Sequence, residues 1–205
     1  MGAAVSLTVL LCIPASRNYV LCSVGRMIVF HQHLPSSADV IVVAIDVDGA
    51  GTLEAADLAH RGLASRVAVF NDPPSSVDRE FLRRGLPYED RGAVSVRQLK
   101  MLGVKNVTVI PRGTTGSNQE GEILPEWCEE QHYHSVVLVT SGDHSRRLGR
   151  IMRRAARGHD ITITLDISPY ADFRLDSWWK TRTGIREFSF ELQKLVLDVI
   201  RHPFS

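Results

Sequence analysis

A chain of 205 residues that is 44% hydrophobic, 23% charged and 7% aromatic has enough apolar side chains for one sizeable core. That balance excludes a largely disordered chain, a collagen-like chain and a polytopic membrane protein. With 24 Lys and Arg against 23 Asp and Glu the formal net charge is +1, so nucleic acid meets no global attraction and is not an expected partner.

The three cysteines, Cys12, Cys22 and Cys128, include no C-x-x-C and cannot build a disulfide framework, a structural zinc site or a redox pair. Residues 2–15 carry no charge, and residues 19–30 carry only Arg26. A membrane-spanning helix needs about 20 mostly apolar residues, and Pro14 and Arg17 interrupt these two runs. No basic stretch precedes them, as a signal peptide requires. Three readings stand: a short membrane anchor with a juxtamembrane helix, an export signal that starts upstream, or an apolar helix packed on the domain. The anchor is favoured. It makes residues 1–35 a membrane-facing segment and 36–205 the folded domain. The expected location is then the inner membrane or beyond it, with the cytoplasm as the alternative.

From Ser36 onward, strands and helices alternate. Asp39–Ile45 (DVIVVAI) is a continuous β-branched run, suited to a strand buried on both faces of a parallel sheet. Thr52–Arg61 has helical spacing and stops at Gly62. Arg66–Phe70 is the second strand, and Ser76–Arg84 a short helix. Ser95–Leu102 is helical, followed by a third strand at Asn106–Pro111. Asn118–Gln131 is a helix with Pro125 in its middle. Ser135–Thr140 is the fourth strand, Asp143–Arg157 a long helix, and Asp160–Leu165 the fifth strand. Ile185–Arg201 closes the chain as a helix with Phe188, Leu192, Leu195, Val196 and Val199 near one face. Right-handed crossovers then predict a Rossmann-like, doubly wound α/β fold, its mostly parallel sheet of about five strands flanked by helices.

Ligands of such sheets sit beyond the C-terminal strand ends, so the residues there are the candidate site. Asp48, Gly49 and Gly51 follow the first strand, and Asn71 and Asp72 the second. Thr114, Thr115 and Asn118 follow the third, where they could cap a helix or hold a phosphate-like group. Thr140, Ser141, His144 and Arg147 follow the fourth. His144 is the candidate for proton transfer, with Asp48 or Asp72 to orient it. Arg147 could clamp an anion in bidentate fashion. No G-x-G-x-x-G is present, no cofactor is indicated, and no metal site is expected. His31, His33, His132 and His134 read as loop histidines. Arg146, Arg150, Arg153 and Arg157 form a basic stripe, by default solvated and otherwise suited to an anionic membrane surface.

In order along the chain, these motifs resemble those of the YdcF/SanA/ElyC-like family, also called domain of unknown function 218. The matching residues are Ala38-Asp39-Val40-Ile41-Val42-Val43 and Asp48-Gly49-Ala50-Gly51, then Gly62 and Gly103-Val104. Further on come Thr115 with Asn118, Val139-Thr140-Ser141 with His144 and Arg147, and Trp178 or Trp179 with Glu191 and Lys194. The resemblance spans roughly residues 38–200. It implies a bacterial, envelope-associated domain with a polar pocket for a small anionic, nucleotide- or phosphate-like ligand, acting in cell-envelope biogenesis. The turn after the first strand is Asp-rich where the family has three glycines. A non-catalytic scaffold of the same fold is therefore one alternative. The other is a Mg²⁺-dependent haloacid-dehalogenase-like phosphohydrolase. Asp46-Val47-Asp48-Gly49 fits the first motif of that group, but the later Lys and paired acidic residues do not follow.

Overall fold

The computed structural model describes residues 14–205. Five strands, β1 (Val40–Val43), β2 (Arg66–Asn71), β3 (Asn106–Gly113), β4 (Ser135–Thr140) and β5 (Thr162–Ile167), form one sheet. All pairings are parallel and the order is β3-β2-β1-β4-β5. The central strands are the β-branched runs. Every residue of β1 is buried, and Val42 pairs with Ala68 on one side and Leu138 on the other. Such strands have no solvent face, which is why they read as unbroken apolar runs rather than alternating ones.

Among the described residues the helices are α1 (Pro14–Gly25), α2 (Asp48–His60), α3 (Ser76–Arg83), α4 (Arg91–Met101), α5 (Ser117–Gln131), α6 (Ser145–Ala155) and α7 (Arg182–Arg201). Helix α2 packs on α4, α5 on α6, and α6 on α7. The chain reverses its direction across the sheet between β1 and β4, the place where a doubly wound sheet opens a crevice. Gly62 and Gly103, just past α2 and α4, hold φ of +81° and +88°, the left-handed conformation that ends a helix. Helix α5 runs unbroken through Pro125, which is buried.

Three expectations shift. Helix α2 begins at Asp48 rather than Thr52, so the glycines of the Asp-rich turn are inside the helix. Helix α4 begins at Arg91, one turn or more before Ser95, because Asp90 caps it by accepting from Ala93 N–H at 2.6 Å. The basic stripe is solvated only in part: Arg153 and Arg157 are exposed, while Arg146, Arg150 and the neighbouring Arg154 are half-buried against other elements. Arg150 and Arg154 both pair with Asp198 on α7, at 2.6 and 2.5 Å. Arg146 donates to the carbonyls of Arg26 and Val29. The guanidinium groups of Arg146 and Arg153 lie over the Phe30 ring. Spacing places arginines on a face but does not say what the face meets. Here it meets α7 and the N-terminal segment.

The N-terminal expectation for residues 2–15 lies almost wholly outside the described residues. The stretch from Leu21 to Phe30 is packed on the domain. Ile28 and Val29 are buried with Phe173, Trp178, Phe188 and Leu195. The indole N–H of Trp178 donates to Leu21 O at 3.1 Å, and Phe30 N–H donates to Ser145 Oγ at 2.8 Å. No helix among the described residues is long and apolar enough to cross a membrane.

Candidate functional site

A cleft of about 1050 Å³ opens over the C-terminal ends of β1, β2, β3 and β4. Its wall is built where three helices meet. The last turn of strand β3 leads through Thr114 to Gly116, which occupies the N-cap position of α5 without supplying a side-chain cap. Thr114 is fully buried. Its Oγ1 donates to Gly116 O at 2.9 Å and accepts from Gly116 N–H at 3.2 Å, so it shapes this turn. Among the described residues, the N–H groups of Ser117, Asn118 and Gln119 have no acceptor, as the first turn of a helix leaves them.

His144 stands at the start of α6, almost fully buried. Its Nε2 lies 2.8 Å from Ser117 Oγ, and its Nδ1 lies 2.9 Å from Glu191 Oε2 on α7. Arg147 Nε donates to the same Glu191 oxygen at 2.9 Å, and Lys194 Nζ to the other at 2.7 Å. Glu191 therefore serves three cationic partners. Burial pushes its pKa up, but hydrogen bonds from His144, Arg147 and Lys194 outweigh that and hold it well below the usual carboxylate range. An ionised Glu191 offers an acceptor for a proton on His144 Nδ1, and Arg147 Nη2 lies 3.0 Å from the same nitrogen. Burial pulls the imidazole pKa down, Asp46 and Glu191 pull it up, and the net direction is up.

Asp46, just past β1, faces this wall. It accepts from Ser141 Oγ at 2.9 Å and, more weakly, from Thr140 Oγ1 at 3.3 Å. Glu120 lies behind it on α5. Its Oε1 accepts from Ile45 N–H at 2.7 Å, while its buried Oε2 has no partner among the described residues. Burial, helped by Asp46, pushes Glu120 up to about 7. On the far side, Arg91 bridges Asp48 at 3.1 Å and Asp72 at 3.2 Å.

The cleft brings together Asp72, Thr114, Thr115, Asn118, Ser141, His144 and Arg147 from the expected set. Asn71 and Thr140 sit behind it. Asn71 accepts from Thr114 N–H through its carbonyl and from Gly92 N–H through its side chain, so it splices two loops. Asp48, Gly49 and Gly51 are not in the lining. Asp48 is exposed and has φ of +40° at the head of α2. Gly51 is buried against Val47 and Val43. A Cβ there would come 2.2 Å from Val47 Cγ1 and 2.8 Å from Val43 Cγ1, both on branched side chains with little room to turn. Gly51→Ala is expected to cost about 1–3 kcal/mol in thermal unfolding, with ligand affinity unchanged in the folded fraction.

Three residues that matter here were not singled out from the sequence for the roles they take. Ser117 looked like a capping-loop serine. Glu120 gave no signal. Glu191 had one, being a carboxylate on the same helical face as Phe188 and Leu195, where an unpaired charge is costly. Asp46 faces the cleft while Asp48 does not, so the two carboxylates of the phosphohydrolase motif do not share a site. Among the described residues no three His, Cys, Asp or Glu side chains gather to hold a metal ion. Comparison of the chain with protein-family models, with curated proteins and with solved structures gives no match.

Proposed function

We propose that this domain binds a small anionic ligand, phosphate- or nucleotide-like, in the cleft at the β1–β4 switch point, and that His144 serves it as a proton donor. One observation carries the reading. Three cationic groups, His144, Arg147 and Lys194, gather on Glu191 beside the uncapped N-terminus of α5, on one wall of a cleft whose other charged lining is Arg79 and Arg91 against Asp46, Asp72, Asp143 and Glu187. The raised pKa of His144 keeps its imidazolium form populated near neutral pH. Asp46 accepts from the Ser141 hydroxyl and Gln119 Oε1 from the Thr115 hydroxyl, so the first-turn N–H groups of α5 are the donors left toward a ligand's oxygen atoms. The likeness of the ordered motifs to the YdcF/SanA/ElyC-like family supports the same ligand class and a place in envelope biogenesis, with the N-terminal apolar segment as the membrane contact.

Thermal unfolding with inorganic pyrophosphate and with a nucleoside diphosphate tests this, each with and without Mg²⁺. At a hundredfold excess over Kd, binding to the folded state adds about 2.7 kcal/mol. For a chain of this size that raises Tm by roughly 5–11 °C. His144→Asn is expected to lose most of the shift. An unmoved Tm at millimolar concentrations of both compounds would exclude the reading.

A further inference from the structure

Ser117 has a place that anion binding does not explain. It is the first residue of α5, it lines the cleft, and its cap position is already taken by Gly116. The hydrogen-bond partner of its side chain is the His144 ring, at 2.8 Å, and that ring is held from behind by Glu191 at 2.9 Å. A hydroxyl, an imidazole and a carboxylate thus stand in sequence, each within reach of the next, supplied by α5, the head of α6 and α7. This is the geometry that activates a weak nucleophile: the ring takes the hydroxyl proton from one nitrogen while the carboxylate fixes the other. The free N–H groups of Asn118 and Gln119 belong to the same turn as Ser117, where an oxygen gaining negative charge would be stabilised.

We propose that Ser117 is a covalent nucleophile, acylated by a carboxylic ester whose alcohol portion carries a phosphate. The phosphate portion rests on the anion-binding reading above; the acyl step rests on Ser117, His144 and Glu191. Ser117 Oγ bonds to the carbonyl carbon as its proton passes to His144 Nε2. The carbon–oxygen bond to the leaving alcohol then breaks, and the alcohol oxygen takes that proton. Water next adds to the acyl carbon, giving a proton to Nε2. The bond to Oγ breaks and Ser117 recovers the proton, releasing the carboxylic acid. Glu191 acts through the ring and is a positioning residue.

The step needs a neutral His144. The ionisable groups around the ring are Asp46 beyond β1, Glu120 on α5, Asp143 and Arg147 at the head of α6 and Glu191 on α7; burial and Arg147 lower its pKa, Asp46 and Glu191 raise it, and the net direction is up. Reaction at Ser117 should therefore quicken as pH rises from 6 to 9.

The test is labelling of the full chain by an alkyl fluorophosphonate, located by peptide mass spectrometry, beside calorimetry with pyrophosphate. The expected result is one adduct on Ser117, formed roughly tenfold faster at pH 8 than at pH 6. It should be absent in Ser117→Ala, and slower in Glu191→Gln with the midpoint of the pH profile moved down. Wild-type protein that binds pyrophosphate but gives no adduct between pH 6 and 9 overturns the acyl step alone. Failure of both binding and labelling overturns both readings. An adduct whose rate is flat with pH and unchanged in His144→Asn also overturns the proposal, since the ring then plays no part.

Discussion

Glu191→Ala should destabilise the fold by about 3–5 kcal/mol, because it strips the counter-charge from His144 and Arg147, both largely buried. For a chain of this length that is a fall in Tm of roughly 6–20 °C. Glu191→Gln keeps the shape and one acceptor and should cost less. The loss also has a pH signature. Glu191 is depressed in the fold, so its stabilisation is present above the ordinary carboxylate pKa of about 4.3 and disappears as pH falls below it. His144 is raised, so its stabilisation is full below about 6.5 and disappears as pH rises through the folded value. The gap between wild type and Glu191→Ala should be widest between about pH 4.5 and 6.5. Denaturant unfolding across pH measures it. A gap that is uniform with pH, or under about 1 kcal/mol throughout, would mean the buried ion network contributes little.

Glu120→Gln should act in the opposite direction. The wild-type carboxyl is fully buried, bonded through one oxygen only, and pushed from 4.5 to about 7. A carboxyl with a raised folded pKa favours the fold at low pH and withdraws that support as pH climbs from the unfolded value to the folded one. The loss amounts to about 3 kcal/mol by pH 8. Gln keeps an acceptor for Ile45 N–H and cannot ionise. The variant should match wild type near pH 4 and exceed it by about 3 kcal/mol at pH 8. Equal stability at both pH values would show that Glu120 is not held neutral. A carboxylate kept beside Asp46 despite this cost suits a site in which proton positions matter.

The strands were legible because burial on both faces leaves an unbroken β-branched record, as Val40–Val43 and Ser135–Thr140 show. Their alternation with helices carried the sheet topology with it. Helix starts were less legible. Asp48 opens α2 with a positive φ, and Gly51 serves packing against Val43 and Val47, so one glycine of this turn is there for close contact. At the site, His144 and Arg147 stood out because an imidazole and a guanidinium at one helix start are conspicuous locally. Their common partner Glu191 lies more than forty residues downstream, at a separation of 47 from His144. Pairing across that distance is a property of how α7 docks. Trp178 stacks on Phe188 with ring centroids 4.0 Å apart, and Thr181 caps the helix start. The half-buried setting of Arg150 and Arg154 was missed for the same reason, since Asp198 is reached only through that docking.

The most direct measurement is an NMR pH titration of the His144 ring, assigned against His144→Asn, with and without pyrophosphate. The ring should titrate above its ordinary value of about 6.5 in the free protein and higher still with pyrophosphate bound, the Nδ1 proton held by Glu191 throughout. A midpoint at or below that value, unmoved by pyrophosphate, would contradict a cationic, anion-receiving wall at this cleft.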